Sequence, residues 1–84
     1  MVDIVMYSTP WCPFCVRAKR LLKDKGVTVT DIDISGSGEL RQEMIQRSGQ
    51  RTVPQIWIGE RHVGGCDELY ALERQGQLDS LLAQ

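Results

Sequence analysis

Neither sign of charge dominates this chain, and no long apolar run interrupts it. Ten basic and eleven acidic side chains leave a net charge of -1 over 84 residues, so no broad positive field exists to gather nucleic acid. Hydrophobic residues make up an ordinary 42%, yet no stretch approaches the length of a membrane span. The opening MVDIVMY lacks a basic head and a small-residue cleavage site, which argues against a secretory signal. Cysteine is scarce: Cys12, Cys15 and Cys66 are the only three, an odd number that a disulfide scaffold does not favour. A chain of this length has room for one domain, residues 1–84, with a single core. It carries no internal repeat, linker or low-complexity segment.

What is present is ordered. DIVMY (3–7) is a short apolar run suited to a buried strand. Cys15, Ala18, Leu21 and Leu22 then recur at helical spacing. Pro13 is suited to a first helical position and Gly26 to a stop, so this helix begins at the first cysteine. The β-branched VTVTDIDI (27–34) predicts a second strand. Leu40, Met44 and Ile45 mark a second helix, with Glu39 in its first turn and Gly49 after its last. QIWIGERHV (55–63) reads as a hairpin with Gly59 and Glu60 at its tip. A third helix runs from about Asp67 to Gln75 and closes at Gly76, and the tail adds a last turn packed by Leu78, Leu81 and Leu82. The first two strands flank a crossover helix and should be parallel; the hairpin adds two antiparallel strands.

The stretch TPWCPFCVRAK (9–19) carries the chemistry. A thiolate attacks where a thiol does not. Cys12 sits at a helix mouth, where free backbone N–H groups of Phe14 and Cys15 can face its sulfur. A helix end contributes roughly 0.3–1 kcal/mol, less than the 1.36 kcal/mol of one pKa unit, so specific hydrogen bonds to sulfur must add to it. Cys12, ahead of the helix, can be exposed, whereas Cys15 lies one turn inside. The division of labour follows: Cys12 attacks and Cys15 resolves.

Other readings of these residues stand beside this one. A structural zinc site wants four ligands, and only His62 and Cys66, far along the chain, could complete the set. Cys66 can be a buried small hydrophobe or a second redox thiol. His62 reads as a surface side chain, Ile56 and Trp57 as packing, and Trp11 as either a groove wall or helix cover. Arg17, Lys19, Arg20 and Lys23 form a basic run best read as a solvated helix face.

Three separated motifs coincide: CPFC at 12–15, TVP at 52–54 and GGCDEL at 64–69. Together, and with RAKRLLKDKGV and QRSGQRTVPQIWIGERHVGG around them, they resemble the small dithiol bacterial glutaredoxins over nearly the whole chain. The resemblance implies an α/β thioredoxin-like fold, a four-stranded mixed sheet ordered 2-1-3-4 with three helices on its two faces. It implies a glutathione-dependent thiol–disulfide oxidoreductase, a cytoplasmic monomer acting on disulfide-bonded or glutathionylated proteins, with glutathione as cosubstrate and without a metal. It also implies a cis bond at Val53–Pro54, beside which Thr52 and the Val53 backbone would meet the cysteinyl part of glutathione as an added strand does. Gly65, Cys66 and Asp67, at the start of the third helix, match the positions that hold the γ-glutamyl end. Arg41 and Arg51 match those facing the glycine carboxylate, and Phe14 replaces a usual tyrosine. Thr9 is a departure, since many relatives carry lysine there. Relatives can also hold an iron–sulfur cluster between two subunits, an alternative that Pro13 disfavours.

Overall fold

The computed structural model describes residues 2–84; Met1 lies outside them. Its elements are β1 (Ile4–Ser8), α1 (Pro13–Asp24), β2 (Val29–Asp33), α2 (Gly38–Ser48), β3 (Gln55–Ile58), β4 (Arg61–Gly64), α3 (Cys66–Arg74) and α4 (Leu78–Leu82). The strands form one sheet in the order β2-β1-β3-β4. β1 runs parallel to β2 and antiparallel to β3, and β3 is antiparallel to β4. This is the mixed sheet and thioredoxin-like arrangement expected. The last turn expected of the tail is present as a short fourth helix, α4, anchored by buried Leu78, beyond the three helices expected.

Burial explains the strand compositions. The central strands β1 (IVMYS) and β3 (QIWI) are covered on both faces and are buried almost throughout, so neither shows an apolar–polar alternation. The edge strands β2 and β4 carry the charged side chains, which also discourage pairing with another chain.

Helix ends are set by local chemistry. Cys12 is the N-cap of α1, with Pro13 at the first helical position, where its missing N–H is not needed. Ser37 caps α2 by accepting the Leu40 amide at 3.2 Å, and Gly49, in the left-handed region at φ 73, ends it by donating to the Ile45 carbonyl. Two cores result. One, between the sheet and α1, α3 and α4, contains Ile4, Met6, Ala18, Leu22, Ile56, Ile58, Cys66, Leu69, Leu72 and Leu78. The other, under α2, contains Tyr7, Ile34, Met44 and Trp57. No described helix is long and apolar enough to cross a membrane.

Candidate active site

Cys12 stands where β1 hands over to α1. As an N-cap its side chain takes the place of the usual capping oxygen, and Sγ accepts the amide of Cys15, the third helical residue, at 3.3 Å. Among the described residues this is the one backbone amide bonded to the sulfur; the Phe14 amide, expected to share the task, makes no such bond. On its other side Sγ lies 3.7 Å from the Val53 carbonyl, to which a thiol there donates. Converting Cys12 to a thiolate removes that donor and frees the carbonyl for another N–H.

One turn on, Cys15 is fully buried. Its thiol is pushed up to about 12, chiefly by burial and next by its hydrogen bond with Cys12; the backbone of Thr9 and the charge of Lys19 pull the other way. At neutral pH it is therefore a protonated thiol. Burial also pushes up the Cys66 thiol. All three cysteines are free.

Beside Cys12 the Val53–Pro54 bond is cis, as the resemblance implied. The loop preceding it faces the start of α3 across a groove of about 270 Å³, lined by Phe14, Thr52, Val53, Pro54, Gly65, Cys66, Asp67 and Glu68. Seven of the residues singled out in the sequence thus come together. Arg41 does not join them. It lines a second groove of about 420 Å³ with Thr9, Trp11 and the Ile34–Gly38 turn, and Val53 belongs to both. Arg51 lines neither; its carbonyl accepts Arg41 Nη1 at 3.5 Å. Among the described residues the exposed large hydrophobic ones are Trp11, Phe14 and Val16, all close to Cys12 in the chain, with Trp11 73% exposed.

Glu68 and Gly64 were not singled out beforehand. Glu68 Oε1 accepts the Gly65 amide at 2.7 Å and so fixes the first turn of α3. Gly65-x-x-Glu68 has the spacing of a capping residue with its carboxylate partner, the signal available in the sequence. Gly64 sits at φ 112, and a Cβ there would fall 2.7 Å from Glu68 Oε1, so a side chain is excluded twice over.

His62 corrects the reading of a surface side chain. It is half-buried, its ring packs on Trp57 with centroids 4.8 Å apart, and Nε2 lies 2.7 Å from Gln55 Oε1. The cause is register: Trp57 pairs with His62, and a bulge between Ile56 and Trp57 separates that pair from Ile56–Gly64. Among the described residues no three His, Cys, Asp or Glu side chains gather as a possible metal set.

The comparisons agree with this geometry. The family model described as Glutaredoxin matches residues 4–63. A glutaredoxin of Pseudomonas aeruginosa is 58% identical over 83 residues, covering 99% of each chain. The solution structure of glutaredoxin from Brucella melitensis has a TM-score of 0.86 at 60% identity, covering 98% of this chain and 89% of that one. The crystal structure of a buckwheat glutaredoxin–glutathione complex has a TM-score of 0.89 at 32% identity, covering 98% and 77%. With a CPFC pair at a helix mouth, one cysteine part-exposed and one buried, this chain belongs to the glutaredoxin family of thiol–disulfide oxidoreductases.

Proposed function

We propose that this chain uses glutathione as its cosubstrate, reducing protein disulfides and protein–glutathione mixed disulfides. The observation that carries the reading is the groove that meets Cys12 at the Val53 carbonyl and is walled by the start of α3. The buckwheat relative is a glutathione complex, which supports it. The Cys12 thiolate attacks one sulfur of the disulfide; a new sulfur–sulfur bond forms, the old one breaks, and the other sulfur leaves as a thiolate that takes up a proton. The Val53 carbonyl receives the cysteinyl N–H of the bound tripeptide. The amides of Cys66 and Asp67, with the Asp67 carboxylate, take the charged γ-glutamyl end. Arg41, across Val53 in the second groove, takes the glycine carboxylate.

Two routes then lead back. A Cys12–protein disulfide is resolved by Cys15, which loses its proton and attacks the Cys12 sulfur, and the reduced protein leaves. Part of what holds that proton comes from Cys12 itself, and this part vanishes once Cys12 is in a disulfide. The resulting Cys12–Cys15 disulfide is opened by one glutathione and cleared by a second, which departs with the first as glutathione disulfide. A Cys12–glutathione disulfide is resolved by a second glutathione, whose thiolate attacks the bound glutathione sulfur and regenerates the Cys12 thiolate. Glutaredoxin potentials of about -200 to -230 mV lie near the cytosolic glutathione poise, so the flow follows the pool. The reading places residues 1–84 as one functional domain, a monomer in the reducing cytoplasm with no nucleic acid and no metal in its cycle. Polypeptide partners dock on the exposed apolar side chains of Trp11, Phe14 and Val16.

The test separates the two cysteines. Cys12→Ser should abolish all turnover in a glutathione-coupled assay. Cys15→Ser should keep deglutathionylation and lose the direct reduction of protein disulfides. Equal loss in both variants would refute the assigned roles.

A further inference from the structure

The buried polar side chains among the described residues are Ser8, Thr9 and Gln55. Gln55 is the only amide of the three. It opens β3 directly after Pro54 and is 2% exposed. A buried amide is unfavourable unless its donors and acceptor are used, and here they are. Nε2 donates to the Thr52 carbonyl at 2.9 Å and to Thr52 Oγ1 at 3.3 Å. With its nitrogen committed to the loop, the amide turns Oε1 toward His62, so His62 Nε2, 2.7 Å away, carries the proton. The His62 ring is braced in turn on Trp57. Thr52 is exposed, and water could satisfy its carbonyl equally well. What the amide adds is direction.

We propose that Gln55, anchored by His62, is a positioning residue for the reaction. It holds the Thr52–Val53 segment so that the Val53 carbonyl stands beside Cys12 Sγ in register with the peptide backbone of the incoming glutathione moiety. Neither side chain lines the groove; both act through Thr52. The inference rests on the glutathione reading above and deepens it, because a loop that loses its brace binds the tripeptide less well while the Cys15 amide, held in α1, still meets the sulfur.

The experiment is steady-state turnover of a glutathionylated peptide, run beside alkylation of Cys12 by iodoacetamide. Gln55→Glu keeps an acceptor for His62 but replaces the donor with an oxygen facing two oxygens of Thr52. KM should rise about tenfold, with kcat and the alkylation rate each within about twofold. His62→Phe keeps a ring on Trp57 but removes the Nε2 donor, and should raise KM by about twofold to threefold. A folded Gln55→Glu protein with wild-type KM overturns the proposal. So does a loss of kcat and alkylation rate in step with the rise in KM, which marks general disorder of the site. If Gln55→Glu does not fold, His62→Phe decides, and an unchanged KM there overturns the proposal. Wild-type protein that alkylates normally yet never turns over the glutathionylated peptide sinks the functional reading itself, and this inference with it.

Discussion

Under α1, α3 and α4 the sheet buries ten side chains that are aliphatic or cysteine, whereas under α2 it buries Tyr7, Ile34, Met44 and Trp57 and rings them with charge. On that second face the Tyr7 hydroxyl donates to Glu43 Oε2 at 2.5 Å and accepts Arg47 Nη1 at 2.6 Å, and the Arg47 guanidinium lies 4.5 Å above Trp57. The two faces also lead to different parts of the active site. The aliphatic face carries α1, and so buries Cys15 and sets Cys12 at its rim. The aromatic face runs through Trp57 and His62 to Gln55 and the loop. Apolar burial is non-directional and supplies depth. Hydrogen bonds are directional and supply orientation. The sulfurs need the first and the loop before Pro54 the second.

The largest effect should come from the aliphatic side. Leu22 is fully buried there, and Leu22→Ala should destabilise the fold by about 2–5 kcal/mol in urea unfolding. That is a large share of the stability of a domain this small, yet the KM of the protein that remains folded should not move. A loss under about 1 kcal/mol would show that this face collapses freely around a missing side chain.

Next in size is an alkaline effect tied to Cys15. What the aliphatic face stabilises is the neutral thiol. Its contribution is complete below the ordinary thiol range and is lost as pH rises from about 9 toward about 12. Between pH 7.5 and 10.5 the wild type should therefore lose about 1–2 kcal/mol more than Cys15→Ser in urea unfolding. Cys66, Tyr7 and Lys25, all raised in the folded protein, titrate in both and cancel in the difference. Parallel pH profiles would mean that Cys15 is not held neutral by its surroundings.

Much of this division is written locally in the sequence. A proline directly after Cys12 and apolar residues at helical spacing announce α1; the short apolar runs announce β1 and β3. The boundaries missed are those set by particular backbone bonds, which a pattern of apolar residues does not show. VTVTDIDI predicts a strand from Val27, but the Val27 amide bonds back to the Leu22 carbonyl to finish α1, and β2 starts at Val29. β1 continues through Ser8 because it pairs there with Asp33. The tail becomes α4 because the Gln77 amide bonds the Leu72 carbonyl and Leu78 enters the core. The site divides in the same way. TVP and GGCDEL point to one groove, and their residues meet. The separation of Arg41 into a second groove, the sideways course of Arg51 and the pairing of His62 with Trp57 depend on loop direction and on one bulge, which leave no periodic trace.

The smallest effect belongs to the far end of the aromatic face. Tyr7→Phe removes a donor to Glu43 and an acceptor for Arg47. Each bond contributes about 0.5–1.5 kcal/mol net, but both partners are exposed and recover water, so a total of about 1 kcal/mol or less is expected in urea unfolding. The ring itself stays, edge-on to Trp57 at 5.4 Å, and so does the Arg47 guanidinium above the indole. Gln55 keeps His62 on one side and Thr52 on the other. The KM for a glutathionylated peptide should then match the wild type even though stability falls. A rise equal to that of His62→Phe would instead mean that order passes from α2 through the indole to the loop. An unchanged KM puts the dividing line at Trp57: bonds on the α2 side of that ring hold the fold, and bonds beyond it aim the carbonyl at the sulfur.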